Sequence, residues 1–164
     1  MKPSSALILL LPLSLSVAGC VGPRGLVSPQ ATSAETLARM GTPTDIRFDA
    51  NGDELWEYAT GPSGLETYLV RIGRDGRVRD VTQLLTQERL MTIEPGKSTR
   101  RDVRHLLGRP SEVNFLHNGE AWSWRFRLGG VQTGHLAVGF NPDGTVRDRM
   151  VILDSSGDRS RDSK

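Results

Sequence analysis

The feature that most constrains this chain is that its middle is written twice. Leu37-Ala38-Arg39-Met40-Gly41-Thr42-Pro43 returns 67 positions later around Gly108-Arg109-Pro110. Asn51-Gly52 is followed by Trp56-Glu57-Tyr58, and Asn118-Gly119 by Trp122-Ser123-Trp124. Both stretches close on a turn, Asp75-Gly76-Arg77-Val78-Arg79-Asp80 in one and Asp143-Gly144-Thr145-Val146-Arg147-Asp148 in the other. Four landmarks in the same order, at nearly one offset, predict a tandem duplication and hence two lobes of similar build.

Each landmark has a local reason. Thr99 caps a predicted helix with Asp102 at its third position, a variant of the capping box, and Thr32 with Glu35 repeats the signal. Val103, Leu106 and Leu107 share one helical face. Gly108 stands where a left-handed closing residue is wanted, and Pro110 forbids continuation; Gly41 and Pro43 repeat the stop. Asp75-Gly76 and Asp143-Gly144 suit tight hairpins. Trp122, Trp124 and Phe126 alternate with polar residues, as do Leu136, Val138 and Phe140, and Tyr68, Val70 and Ile72, which predicts strands. Each half reads as a helix followed by an antiparallel meander, with a short extra helix at about 86–91. The expected class is α+β: two tandem helix-plus-meander lobes in two layers, over residues 30–85 and 86–153.

The ends differ from the middle. After Met1-Lys2, an apolar run from Ala6 to Val17 is shorter than the roughly 20 residues a spanning helix needs, and reads as a secretory signal. Val17-Ala18-Gly19-Cys20 resembles the lipobox of bacterial lipoproteins. That resemblance implies cleavage between Gly19 and Cys20 and a lipid anchor on the Cys20 sulfur. Cys20 is the one cysteine of the chain, so the fold must stand without an internal disulfide. Residues 20–29 read as a Gly/Pro spacer and 154–164, which lack apolar side chains, as a disordered tail. With 21 Lys and Arg against 19 Asp and Glu, charge gives no general pull toward nucleic acid, and none is expected as a partner.

The segment Ile93-Glu94-Pro95-Gly96-Lys97-Ser98-Thr99, continuing to Leu107-Gly108-Arg109-Pro110, resembles the signature of the SmpA/OmlA (BamE-like) outer-membrane lipoproteins: Pro-Gly-x-Thr, then Val, then Leu-Gly-x-Pro, then an aromatic strand. The likeness runs well over 86–153 and in degraded form over 28–85, where Ser28-Pro29-Gln30-Ala31-Thr32 replaces the Pro-Gly start. The tandem arrangement is also similar to that of the β-lactamase inhibitor proteins. These resemblances imply a lipid-anchored outer-membrane protein facing the periplasm.

No catalytic set is legible. Gly96-Lys97-Ser98 lacks the earlier glycine of a phosphate loop, since Met91 stands there. His105, His117 and His135 lack metal-ligand spacing, so neither metal nor cofactor is expected. Asp80 and Asp148, each between arginines, read as structural ion pairs. If the aromatic stripes face the helices, the opposite sheet faces are free. They make Glu57, Arg71, Ser123, Arg125 and Arg127 the candidate partner surface. The basic helix, with Lys97, Arg100, Arg101 and Arg104, is a candidate for contact with anionic headgroups. The expected function is a non-enzymatic periplasmic protein-interaction module, in outer-membrane protein assembly or envelope integrity. The alternative is a membrane-tethered inhibitor of a periplasmic hydrolase.

Overall fold

A computed structural model describes residues 27–60, 64–128 and 132–154. The signal segment, Gly19, Cys20, most of the spacer and residues 155–164 of the tail lie outside the described residues. The chain is α+β. Helix α1 (Ser33–Met40) precedes β1 (Asp45–Phe48), β2 (Glu54–Ala59), β3 (Thr67–Ile72) and β4 (Val78–Gln83), which form one antiparallel sheet in chain order. Helices α2 (Gln87–Met91) and α3 (Arg100–Leu107) precede β5 (Glu112–Leu116), β6 (Gly119–Leu128), β7 (Gln132–Phe140) and β8 (Val146–Leu153), a second sheet of the same order.

The two lobes solve their local problems alike. The Thr32 hydroxyl accepts from the Glu35 N–H, and the Glu35 carboxylate accepts from the Thr32 N–H. Thr99 and Asp102 do the same for α3. Each helix start is then tied to its hairpin: the Ser33 N–H donates to the Gly76 carbonyl and the Arg100 N–H to the Gly144 carbonyl, both at 2.9 Å. The β3–β4 and β7–β8 hairpins also each carry an irregular register, between Arg71 and Ile72 and between Gly139 and Phe140.

One expectation at the helix ends needs correcting. Gly41 and Gly108 do have positive φ (79° and 78°), but their ψ values of −161° and −166° are not those of a left-handed helix. They occupy a region that is essentially reserved for glycine, so the residue is more strictly required than a left-handed cap would make it.

The aromatic stripes face the helices. Trp56, Tyr58, Val70, Ile72 and Val78 close on Met40 and Val27 in the first lobe. Trp124, Phe126, Leu136, Val138, Phe140 and Val146 close on Leu90, Ile93, Val103 and Leu107 in the second. Leu84 and Leu85 are neighbours in sequence but belong to different clusters, Leu84 with Leu55 and Leu69, Leu85 with the core of the second lobe.

Candidate functional site

The two sheets differ in what happens to the face away from their own helix. On the first sheet that face carries Leu55, Glu57 and Leu69, and it is closed. The C-terminal end of α3 sits against it. The Glu57 carboxylate, 1% exposed, accepts from the Arg109 backbone N–H at 2.6 Å, from Arg104 Nη1 at 2.8 Å and from Arg47 Nη1 at 2.8 Å. A side chain on Gly108 would stand 2.7 Å from Glu57 Oε1 and 3.0 Å from Leu84 Cδ1, so the approach depends on glycine there. Glu57 is therefore not part of an open partner surface. A buried carboxylate is tolerated because three donors, two of them cationic, replace its hydration.

Arg71 lies on the same face nearer its rim, 41% exposed, and pairs with Asp80 at 3.1 Å and Asp49 at 3.6 Å. Asp80 is thus a structural ion-pair partner, and Asp148, 2.6 Å from Arg147 Nε, is another.

On the second sheet the corresponding face is open. Register places Ser123, Ala137 and Met150 in one row and Arg125, His135 and Ile152 in the next. Its middle is lined by small residues, while Met150 (59%) and Ile152 (52%) stand exposed on β8. At one end Asp154 accepts from the Thr133 hydroxyl at 2.5 Å and lies 3.7 Å from both Arg125 Nη2 and His135 Nε2. Arg127 is exposed further along β6. The structure thus keeps Ser123, Arg125 and Arg127 together on one strand, in a different sheet from Glu57 and Arg71. Such a face, shallow and apolar at the centre with mixed charge at one end, suits a polypeptide surface better than a small molecule.

Between the lobes a cleft of about 210 Å³ is lined by Thr44, Glu57, Thr67, Arg109, Pro110, Trp124 and Arg125 among others. Glu57 and Arg125 do share this cleft, but with its carboxylate filled by protein donors Glu57 serves as a joint there.

The basic helix is less basic than it reads. Arg100 pairs with Glu120, donates to the Asn141 carbonyl and lies 5.8 Å over the Phe140 ring. Arg104 is drawn to Asp45 and Glu57. Both guanidiniums are turned inward, so they do not present the outward charge expected for headgroup contact. Arg101 and Lys97 remain exposed, and Lys97 pairs with Glu94 at 2.6 Å. The Glu94 carboxylate beside it raises the pKa of the Lys97 ammonium. Hydrogen bonds from Thr99 hold the Asp102 carboxyl below its usual range. Among the described residues no group of three or more His, Cys, Asp or Glu is placed to hold a metal. No described helix is long and apolar enough to cross a membrane.

The family match falls on the second lobe. Residues 83–150 match the family model described as outer membrane protein assembly factor BamE domain. That span runs from the end of β4 into β8 and includes the β6 and β7 part of the open face. No curated protein matches the chain. Among solved structures it is similar to a DUF4309 family protein (YjgB) from Bacillus subtilis subsp. subtilis str. 168, at 17% identity, covering 80% of this chain and 82% of that one, with a TM-score of 0.29. At that score neither fold nor function is drawn from the likeness.

Proposed function

We propose that this chain is a non-catalytic, lipid-anchored module of the outer membrane, facing the periplasm and binding envelope proteins, in outer-membrane protein assembly or envelope integrity. The observation that carries the reading is the BamE-domain match over residues 83–150. The anchor follows from the lipobox resemblance at Val17–Cys20. The two lobes arose, in this reading, by tandem duplication followed by division of labour. The first lobe gave up its open sheet face to α3 of the second, and the second kept its own for a partner.

The tether supports the same reading. Val27 is packed in the core of the first lobe, so six residues separate it from Cys20. An extended chain gains at most about 3.6 Å per residue, which holds the folded part against the membrane surface. One acyl chain binds a bilayer only marginally, whereas several hold durably.

The test is a fractionation followed by capture. The full chain should sediment with the outer membrane, and Cys20→Ser should move to the soluble periplasmic fraction. Affinity capture of the anchored form, with mass spectrometry, should recover outer-membrane assembly proteins. A Cys20→Ser chain that still sediments refutes the anchor. Recovery of a single soluble hydrolase refutes the assembly role and establishes the tethered-inhibitor alternative.

A further inference from the structure

Strand β8 is the outer edge of the second sheet, paired with β7 alone among the described strands. Its last four residues are all apolar and all exposed: Met150 59%, Val151 41%, Ile152 52% and Leu153 45%. Native sheets blunt their edges with charge, and β8 does so only in its first half, through Arg147, Asp148 and Arg149. An edge that offers unpaired backbone groups and apolar side chains on both faces is built to be paired by another strand.

The first lobe shows what the chain does with the same place. At an offset of 68, Thr82 and Gln83 stand where β8 has Met150 and Val151. Leu84 and Leu85 stand where it has Ile152 and Leu153, and both are buried, at 0% and 1% exposure. Leu85 is packed in the core of the second lobe, and Leu84 lies with Leu55 and Leu69 of its own lobe, close to Gly108 of the second. No described strand other than β7 pairs with residues 150–153 of β8, and residues 155–164 contain no apolar side chain to cover them.

We infer that β8 pairs antiparallel with β8 of a second copy, about a two-fold axis at Val151. The sequence is self-complementary in that register. Val151 meets its own mate on the helix side, and Met150 meets Ile152 of the other copy on the open face, which keeps apolar side chains opposite one another. Leu153 lies opposite Arg149, whose guanidinium is turned away to the Leu90 carbonyl at 2.9 Å. Asp148 lies opposite Asp154, and each brings its own cation, Arg147 to the first and Arg125 to the second. The pairing joins two four-stranded sheets into one of eight and sets the two open faces side by side. It goes beyond the interaction-module reading and does not depend on it.

Cys20 is the chain's one cysteine, which makes the test clean. In the full chain carrying Cys20→Ser, Val151→Cys supplies a single thiol at the axis, and Thr82→Cys supplies one on the matching strand of the first lobe. Oxidation should link the Val151→Cys chain into a covalent dimer and leave the Thr82→Cys chain unlinked. Light scattering should give a dimer for Cys20→Ser and a monomer for the same chain with Met150→Lys and Ile152→Lys, with circular dichroism unchanged by the two exposed substitutions. A monomer at about 100 μM, where contacts weaker than that Kd vanish, overturns the inference. So does equal linking through Thr82→Cys, or linking of Val151→Cys in cells to a different polypeptide.

Discussion

Arg104 of the second lobe donates from Nη1 to the Glu57 carboxylate of the first at 2.8 Å, and Glu57 is 1% exposed. The contact converts two lobes of similar build into one body. It also decides which sheet face is left for a partner. Removing one member of a buried pair strands the other, typically at about 3–5 kcal/mol. Glu57→Ala should therefore cost about 3 kcal/mol or more in urea unfolding, since it leaves the Arg109 N–H unpaired and leaves Arg47 and Arg104 with Asp45 alone. Arg104→Ala should cost less, because Arg104 is 25% exposed and Arg47 still holds the carboxylate. A double-mutant cycle should show coupling above about 1 kcal/mol. Additive effects would mean the lobes are not joined through this pair.

Gly41 and Gly108 have nearly the same backbone but different surroundings. A side chain at Gly41 meets nothing within 4 Å, while one at Gly108 meets Glu57 and Leu84. Gly41→Ala should cost only its backbone strain, about 1–3 kcal/mol. Gly108→Ala should cost clearly more, and should also weaken the contact between lobes. Equal losses in thermal unfolding would show that the close approach to Glu57 contributes nothing.

Gln30 stands where the second lobe has Gly96, and it takes the same positive φ, 74° against 77°. That conformation costs an L-residue about 1–2 kcal/mol, against about 0.5–1 kcal/mol of extra chain entropy for glycine. Gln30→Gly should accordingly stabilise the protein by up to about 1 kcal/mol. A lower melting temperature would contradict this.

The Tyr58 hydroxyl is buried without a hydrogen-bond partner, and burial pushes its pKa up to about 12 from an ordinary 10. The folded state therefore holds this proton to higher pH than the unfolded chain does. Its contribution is complete below pH 10 and is lost as pH rises from 10 to 12. Tyr68, also raised by burial and by Glu66, acts in the same direction. Tyr58→Phe should leave stability at pH 7 unchanged or improved and should reduce the alkaline loss. At the acid end Glu35 and Asp102, held low by their capping hydrogen bonds, lose their contribution as pH falls below about 4. An alkaline profile unaltered by Tyr58→Phe would remove Tyr58 as its cause.

What was legible in the sequence was local. Thr32 with Glu35 and Thr99 with Asp102 announced the helix starts, Asp75-Gly76 and Asp143-Gly144 the hairpins, and alternation around Trp122 and Trp124 the strands. What failed was the assignment of Glu57 to a free face, because burial of that face is a tertiary event and leaves no mark on Glu57 itself. A signal did exist in its neighbours. Leu55-Trp56 and Leu69-Val70 are apolar on consecutive positions, and a strand that is apolar on both faces is covered on both. Ala121, Ser123 and Arg125 in β6 show no such second stripe. The inward turn of Arg100 and Arg104 was hidden in the same way, since their acids, Glu120, Asp45 and Glu57, come from other strands.

The proposed role requires that the open face of the second sheet receive an envelope protein while the chain is held at the membrane. Site-specific photo-crosslinking in intact cells tests it most directly, with the photoreactive residue placed in turn at Ser123 on the open face and at Glu88 on α2. Ser123 should give a discrete adduct to an envelope protein other than this chain, Glu88 should give none, and the Ser123 adduct should be lost when Cys20→Ser frees the chain from the membrane. No adduct at Ser123, or one of equal yield from Glu88, would contradict it.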